Sequence, residues 1–187
     1  MGHSQASKAE SRERILAVAT AQIREGGLES LSIGPLMERA GMTAGGFYRH
    51  FSSRDELVAI VLARALEEGR NASTASLGEQ PADFSRIVRS YLSRRHRDSR
   101  GDGCAIAALA ADVGREGEDL RTIMSDRIEG FVSGVAAALD DETDERALVA
   151  VCAMVGALSL SRVIATAPRS DHLLRVVRDY LINEMGT

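Results

Sequence analysis

The stretch from Ser32 to Leu57 constrains the fold of this chain more than any other part of the sequence. It reads SIGPLMERAGMTAGGFYRHFSSRDEL, in which two short helical patterns are joined by a turn that contains glycine. Ser32 precedes the first pattern and Thr43 precedes the second, and both residue types favour the N-cap position of a helix. Two short helices joined in this way are typical of a helix-turn-helix unit.

Helical patterns also occupy the rest of the chain, so the sequence predicts an all-α fold. Only three of the 187 residues are proline, and apolar residues recur at helical spacing. The first predicted helix covers about residues 8–25, with Arg24 on its outer side. Ser53 and Glu56 form a capping box that begins another helix. Later helices are predicted to begin at Pro81 and to cover residues 104–113, 120–139, 147–164 and 169–185.

Charge and composition argue against several classes of protein. The net charge is −4, and residues 1–60 contain seven basic and seven acidic side chains, so bulk basicity does not drive binding to nucleic acid. Two cysteines and four histidines form neither a disulfide framework nor a ligand spacing, so we expect no metal and no cofactor. Nucleophile elbows, phosphate loops and dinucleotide loops are absent from the sequence, and we therefore do not expect an enzyme.

The apolar segments are too short to indicate a membrane protein. The longest run, residues 147–160, is interrupted by Gly156 and falls short of the roughly 20 residues that span a bilayer. The N-terminus also lacks the apolar core of a signal peptide. We therefore expect a cytoplasmic protein without a membrane partner.

The order of residues around the helix-turn-helix unit matches a known pattern. The first helix contains Arg-Ile-Leu and ends in Gly-Gly-Leu, and the later turn reads Ala40-Gly41-Met42-Thr43. The segment after it reads Gly45-Gly46-Phe47-Tyr48-Arg49-His50-Phe51. In these features residues 14–57 resemble the N-terminal domain of TetR-family transcriptional regulators. The resemblance implies an N-terminal three-helix helix-turn-helix DNA-binding domain at residues 8–54, and a C-terminal helical ligand-binding and dimerisation domain at residues 55–187.

The resemblance also implies which residues contact DNA. Hydroxyl groups at helix N-termini lie where the helix dipole attracts phosphate, and glycines let the backbone approach the duplex closely. Arg49 is a candidate for contact with guanine or phosphate, whereas Ala44 replaces a lysine that many relatives carry. Base preference is therefore expected to depend on Arg49, Thr43 and DNA shape. The predicted DNA-binding residues are Ser32, Thr43, Ala44, Gly45, Gly46, Tyr48, Arg49, His50 and Arg54.

The predicted helix at residues 147–164 is apolar over most of its circumference, which indicates that one face packs beyond its own domain. In the TetR family the last two helices of each subunit form a four-helix bundle. The resemblance therefore implies a homodimer that binds a palindromic operator in double-stranded DNA. A central core helix would show the same pattern, and this is the alternative. The predicted interface residues are Ala153, Gly156, Ala157, Leu160, Leu173, Val177 and Tyr180.

The resemblance further implies a pocket for an unknown small-molecule effector among the middle helices. The candidate lining residues are Phe84, Ile87, Tyr91, Cys104, Met124, Ile128 and Phe131. Apolar side chains at helical spacing are equally what an ordinary core contains. Cys104 follows Gly103 at a predicted helix N-terminus, where a thiolate is favoured. It is therefore either a reactive sensor of electrophiles or a small buried hydrophobe.

These observations together favour a sequence-specific, ligand-responsive transcriptional regulator. We expect a repressor that a small molecule or an electrophile releases from its operator. The alternative is a helical interaction protein that has lost specific DNA binding, because Ala44, Gly45 and Gly46 leave few side chains to read bases.

Overall fold

A computed structural model describes the backbone of residues 2–78 and 83–186 and the side chains of residues 5–78 and 83–186. Within these ranges the chain is helical and has no strand, which confirms the all-α prediction. Pro81, which was predicted to begin a helix, lies outside the described residues. The helices are α1 (Gly2–Gly26), α2 (Ile33–Arg39), α3 (Arg54–Leu77), α4 (Phe84–Tyr91), α5 (Arg94–Asp98), α6 (Ala105–Val113), α7 (Glu118–Leu139), α8 (Glu145–Val163) and α9 (Ala167–Met185).

Two short 3₁₀ helices complete the N-terminal part of the chain. The first covers Leu28–Ser30, and the second, which we call the reading helix, covers Ala44–Arg49. The sequence predicted a helix after Thr43, and the structure places a 3₁₀ helix there. Gly45 and Gly46 explain the difference, because glycine weakens an α-helix and tolerates the tighter 3₁₀ turn. We call residues 8–54 the head.

Two hydrophobic cores hold the helices together. The first core combines α1, α2, the reading helix and the first half of α3 with apolar side chains from α6 and with Met124 of α7. The second core lies between α4, α7, α8 and α9. The first core crosses the predicted domain boundary at residue 55, because Leu57, Leu62 and Leu109 are all buried in it. The head is therefore packed directly on α6.

Arg24 is buried, so its predicted position on the outer side of the first helix is wrong. The residue is 7% exposed. One guanidinium nitrogen donates to the carbonyl of Gly101 at 2.9 Å, and another donates to the carbonyl of Ala65 at 2.8 Å and lies 3.0 Å from Glu68. These partners compensate the buried charge, although Nε of Arg24 has no hydrogen-bond partner among the described residues. Arg24 thereby ties α1 to α3 and to the turn that precedes α6.

A second polar contact joins the head to α6. The backbone N–H of Leu28 donates to the carboxylate of Asp112 at 3.1 Å, near the C-terminal end of α6. Gly27 adopts a φ of +77°, and a Cβ added there would lie 2.5 Å from the same carboxylate. Glycine therefore suits this position both for its conformation and for its lack of a side chain.

The start of α3 has the side-chain cap that the sequence predicts. The hydroxyl of Ser53 accepts from the N–H of Glu56 at 3.0 Å. The reciprocal contact of Glu56 is made with the N–H of Ser52, at 2.6 Å, rather than with the N–H of Ser53. Ser32 and Thr43 also occupy N-cap positions, but neither side chain makes a cap hydrogen bond. Of these three hydroxyls, only that of Ser53 is therefore expected to contribute to stability as a cap.

We expect Ser53→Ala to lower the free energy of unfolding by about 1 kcal/mol, because the substitution leaves the N–H of Glu56 without its side-chain partner. Ser32→Ala is the matched control, since that hydroxyl makes no cap bond. Urea unfolding followed by circular dichroism measures both variants. Equal losses in the two variants would contradict the assigned difference between the caps.

Helix α8 is longer than the apolar run that the sequence suggested. By length and composition alone this 19-residue helix is able to cross a membrane, so the conclusion that no segment is long enough is wrong. The helix packs against both α7 and α9, and 39% of its most apolar window is buried inside the protein. This packing is typical of a core helix that also carries an apolar outer face.

Candidate DNA-binding surface and regulatory cluster

The turn between α2 and the reading helix sets the position of the candidate DNA-binding surface. Gly41 adopts a φ of +74°, which a residue with a side chain rarely adopts. The N–H of Met42 then donates to the carbonyl of Met37 at 2.8 Å and closes the turn. The reading helix leaves this turn at Thr43, whose exposed hydroxyl makes no cap bond. The hydroxyl is therefore free to donate to a phosphate.

A buried aromatic pair anchors the reading helix to the head. Phe47 is fully buried and Phe51 is 2% exposed, and their ring centroids lie 5.4 Å apart. The ring of Tyr48 meets the edge of Phe47 at a centroid distance of 5.2 Å, but the residue remains 70% exposed. The interpretation of Phe47 and Phe51 as core residues is therefore confirmed. Tyr48 is held by its ring while its hydroxyl faces outward.

On its exposed side, the reading helix has accessible backbone at Gly45 and one positively charged side chain, that of Arg49. A Cβ added at Gly45 would meet no atom within 4 Å, so the space beside the backbone is open. Ala44 and Arg49 are exposed, whereas Gly46 is half-buried against Met37. A surface of this kind permits close approach of a duplex to the backbone, with Arg49 as the long side chain beside it.

His50 lies at the end of the reading helix among cations. Burial, followed by the charges of Lys8, Arg12 and Arg49, lowers the pKa of this imidazole from its ordinary value. The ring is therefore neutral near pH 7, and its Nδ1 atom has no hydrogen-bond partner among the described residues. A neutral ring is able to donate one hydrogen bond, and the neighbouring cations attract an anion to the same place.

Arg54, which is predicted to contact DNA, also makes hydrogen bonds within the protein. Its guanidinium donates to the carbonyl of Leu31 at 3.0 Å and to the carbonyl of Leu28 at 3.1 Å. These bonds fasten the start of α3 to the short helix that follows α1. Ser32 is exposed at the start of α2, so its hydroxyl remains accessible.

The predicted effector residues meet at the junction of the two cores. Cys104, Ile128 and Phe131 pack against both cores, while Met124 belongs to the first core alone. Tyr91 is 6% exposed, and its ring stacks on Phe131 at a centroid distance of 5.4 Å. Phe84 and Ile87 lie in the second core. The structure therefore brings Tyr91, Cys104 and Phe131 together and leaves Met124 and Phe84 in separate cores.

Cys104 is the N-cap residue of α6 and is partly buried in a polar cluster. The hydroxyl of Tyr91 donates to its Sγ atom at 3.1 Å. Burial, followed by the proximity of this thiol, raises the pKa of Tyr91 well above its usual value, so the phenol keeps its proton. The backbone N–H of Cys104 donates to Nε2 of His96 at 3.2 Å. Cys104 is thus contacted through both its side chain and its backbone.

Sequence reasoning missed three members of this cluster, namely His96, Arg127 and Arg162. Burial lowers the pKa of both arginines from their ordinary value. Arg162 donates to the carbonyls of His96 and Arg97, each at 3.2 Å. Arg127 lies 5.9 Å from the ring centroid of Phe131. Arg162 is the one arginine in the predicted apolar helix at residues 147–164, which was a usable signal, but no local pattern indicates the other two.

Stability is expected to fall as the pH drops from 7.5 to 5.5, and His96 accounts for part of the fall. Nδ1 of the ring lies 2.8 Å from the carbonyl of Tyr91 and donates to it, so Nε2 is the acceptor for Cys104. Burial lowers the pKa of His96 from the ordinary 6.5. The unfolded chain therefore binds the proton first, and stability is lost as the pH falls through 6.5 towards the lowered pKa. Urea unfolding at both pH values measures this, and His96→Gln should weaken the dependence more than the exposed His172→Gln does.

The predicted interface residues lie partly on the surface and partly in the core. Leu160 is 58% exposed and Tyr180 is 61% exposed. Ala153, Gly156, Leu173 and Val177 are half-buried. Ala157 is 4% exposed because it faces the second core, so it is not available to a second chain. Four further apolar residues of α8 and α9 are exposed, and the prediction did not name them. Together with Leu160 and Tyr180 they form what we call the exposed apolar stripe, and they are Leu148, Val149, Val163 and Val176.

Among the residues that the structure describes, no group of three or more His, Cys, Asp or Glu side chains is placed to hold a metal ion.

Comparison with known proteins shows which family the N-terminal segment matches. Residues 15–61, which contain the reading helix and its anchor, match the family model described as bacterial regulatory proteins of the tetR family. The HTH-type transcriptional repressor KstR of Rhodococcus jostii (strain RHA1) is 27% identical over 168 residues, which cover 86% of this chain and 74% of KstR. Residues 15–61 therefore carry the TetR-family DNA-binding segment, and the chain as a whole is similar to a TetR-family repressor. TetR-family regulators bind DNA and act as dimers.

Other TetR-family proteins share the fold over nearly the whole chain. The HTH-type transcriptional repressor NemR of Escherichia coli (strain K12) is 23% identical over 143 residues, which cover 74% of this chain and 72% of NemR. The crystal structure of E. coli NemR in its reduced form superposes with a TM-score of 0.77 at 22% identity, over 93% of this chain and 96% of that one. A TetR regulator from Chloroflexus aurantiacus superposes with a TM-score of 0.81 at 23% identity, over 96% and 98% of the two chains. The helical C-terminal half is therefore also the TetR-family arrangement.

Proposed function

We propose that this TetR-family protein is a cytoplasmic, homodimeric transcriptional repressor that binds a palindromic operator and is released from it by an effector. The observation that carries the proposal is the reading helix, which is anchored by a buried Phe47 and presents Thr43, Tyr48 and Arg49 to solvent. Its relatives KstR and NemR are both described as transcriptional repressors. The repressor role is carried over from them.

Phosphate contacts are expected to supply most of the affinity for DNA. Thr43 and Tyr48 offer exposed hydroxyls, and His50 lies where Lys8 and Arg12 add positive charge. Backbone amides at the open Gly45 provide a further donor close to the duplex. Such contacts position the protein on DNA, whereas base-edge contacts determine sequence preference. Arg49 is the candidate for the base-edge contact, because a guanidinium pairs with guanine through two hydrogen bonds.

The dimer is expected to form through the exposed stripe of α8 and α9. Val149, Leu160 and Val163 of α8 recur at a spacing that places them on one side of the helix. Val176 and Tyr180 extend the apolar surface on α9, which packs against α8. Large apolar side chains exposed together mark an interaction surface. We expect a dimer formed through this stripe to present its two reading helices to two half-sites about 34–36 Å apart.

Effector binding is expected to act on the cluster around Cys104, because two contacts connect that region with the head. The turn before α6 accepts a hydrogen bond from Arg24, and the far end of α6 accepts one from the N–H of Leu28. A displacement of α6 would therefore change the position of the head. The effector is either a small molecule that inserts beside Tyr91 and Phe131 or an electrophile that reacts with Cys104.

DNA binding is tested with the DNA upstream of the protein's own gene. Fluorescence anisotropy at several salt concentrations should give a sequence-preferring affinity that falls as salt rises. The same fragment with its palindrome scrambled is the control. Equal affinity for both fragments would favour the alternative, a helical interaction protein that has lost specific DNA binding.

The thiol hypothesis is tested by comparing the two cysteines. Iodoacetamide treatment should lower operator affinity in the wild type and in Cys152→Ser, because Cys152 is exposed and lies outside the cluster. Cys104→Ser should bind the operator normally and no longer respond. A response that persists in Cys104→Ser, or alkylation at Cys104 without loss of affinity, would leave a non-covalent effector as the remaining mechanism.

A further inference from the structure

A cleft outside the DNA-binding surface and outside the Cys104 cluster is lined mainly by arginines. It lies between the C-terminal part of α4, the start of α5 and the first half of α9, and its volume is about 810 Å³. Four guanidinium groups line it, and Asp171 is the only carboxylate among the lining residues that the structure describes. The arginines are Arg89, Arg94, Arg175 and Arg178. The whole chain has a net charge of −4, so this concentration of positive charge is local.

Carboxylates within the protein do not neutralise this cleft. Asp171 lies 2.7 Å from Arg94. It also accepts a hydrogen bond at 2.6 Å from Arg97, which is not among the residues that line the cleft. Asp179 lies 3.0 Å from Arg178 and 3.8 Å from Arg175. Arg97 has a further partner, Asp98, at 2.7 Å. Four arginines therefore share three carboxylates, and Arg89 adds a further charge, so the cleft retains positive charge.

Two of the lining arginines have few partners among the described residues. Arg175 donates to Nδ1 of His172 at 2.8 Å, and its carboxylate neighbour Asp179 lies 3.8 Å away. Arg89 has no hydrogen bond or ion pair within the described part of the chain. Guanidinium groups match phosphate and carboxylate through paired N–H donors, and a cleft lined by one sign of charge raises the local concentration of the opposite sign. Buried Leu92 and Leu174 add apolar surface to the lining.

The cleft remains accessible in the dimer that we propose. Successive residues of a helix are separated by about 100°, so Asp171, Arg175 and Arg178 lie on one side of α9. Val176 and Tyr180 lie on another side, in the exposed apolar stripe. Pairing of two chains along that stripe therefore leaves the arginine side of α9 open to solvent.

We propose that this cleft binds a small anionic molecule that carries at least two phosphate or carboxylate groups. Its volume is within the range of about 300–1,000 Å³ that is usual for small-molecule sites. Separate guanidinium groups on α4 and α9 are placed to contact separate anionic groups of one ligand. The leucines are placed to contact an apolar part of the same ligand.

Isothermal titration of the full-length protein with inorganic tripolyphosphate, and separately with citrate, tests the proposal. We expect binding near one site per chain, weakened about tenfold or more in Arg89→Gln/Arg175→Gln, because two charge-assisted contacts are lost. Arg95→Gln/Arg121→Gln makes the same change in net charge at two exposed arginines outside the cleft, and should bind as the wild type does. Tighter binding of tripolyphosphate identifies a phosphate ligand, and tighter binding of citrate identifies a carboxylate ligand.

Two further variants distinguish binding in the cleft from binding at the DNA-binding surface and from attraction by charge alone. Arg49→Gln alters the DNA-binding surface and should leave anion affinity unchanged. Arg89→Lys/Arg175→Lys keeps the charge without the paired donors and should bind with intermediate affinity. Absence of binding by the wild type, or equal weakening in both double glutamine variants, would overturn the proposal. Because the titration contains no DNA, either result leaves the proposed repressor function untouched.

Discussion

Leu160→Glu is expected to convert the dimer into monomers and to remove high-affinity operator binding. Leu160 is 58% exposed in the single chain and lies one helical turn from Val163, on the same side of α8 as Val149. An interface with two-fold symmetry buries each substituted position twice. Burial of an unpaired carboxylate costs several kcal/mol, so two of them should raise the dimer dissociation constant by about three orders of magnitude.

Sedimentation equilibrium measures the change in association, and anisotropy with the operator measures its consequence. Thr122→Glu, at an exposed position on α7, introduces the same charge outside the stripe and should remain dimeric. A Leu160→Glu protein that stays dimeric at micromolar concentration would place the interface elsewhere on the surface.

Arg49→Gln is expected to lower operator affinity by about tenfold or more, and the way in which salt affects binding reveals the kind of contact. If Arg49 neutralises a phosphate, its loss should reduce the slope of log affinity against log salt by about 0.9 for each subunit, or about 1.8 for the proposed dimer. If it contacts a base edge alone, the slope should be unchanged and discrimination against one altered base pair should disappear. Both outcomes follow from an exposed guanidinium beside the open backbone of Gly45.

Tyr48→Phe is the matched variant for a neutral contact on the same surface. It removes a hydroxyl and keeps the ring that packs on the edge of Phe47. Affinity should fall by less than in Arg49→Gln, and the salt slope should not change, because no charge is lost. Full wild-type affinity in both variants would mean that the reading helix is not the DNA-binding element.

The head could be predicted from the sequence because its determinants are local. The glycine turn at Gly41, the cap at Ser53 and the apolar Phe47 each act within a few residues. The order of the later helices followed in the same way from apolar periodicity, and the similar fold of solved TetR-family structures agrees with it. The assigned roles of individual DNA-binding residues stay predictions.

Polar contacts between residues far apart in the sequence could not be predicted in this way. Arg24 has the sequence context of an exposed helical residue, and its partner Gly101 lies 77 positions further along the chain. The pairing of His96 with Cys104, and of Arg162 with the carbonyl of His96, depends on how α5, α6 and α8 pack. Asp171 likewise meets Arg97 only through the fold. Periodicity indicates which face of a helix is buried, but it does not identify the partner of a polar group.

The shared first core has a consequence for engineering chimeric regulators. Exchange of DNA-reading heads between related proteins assumes that a head is an exchangeable unit. In this protein the head packs against Ala105, Ile106 and Leu109 of α6. Hydrogen bonds of Arg24 and Asp112 stabilise this packing. A transplanted head would meet an unmatched surface and would lose both packing and signal transmission. A functional chimera therefore requires α6, together with the turn before it, to be transferred with the head.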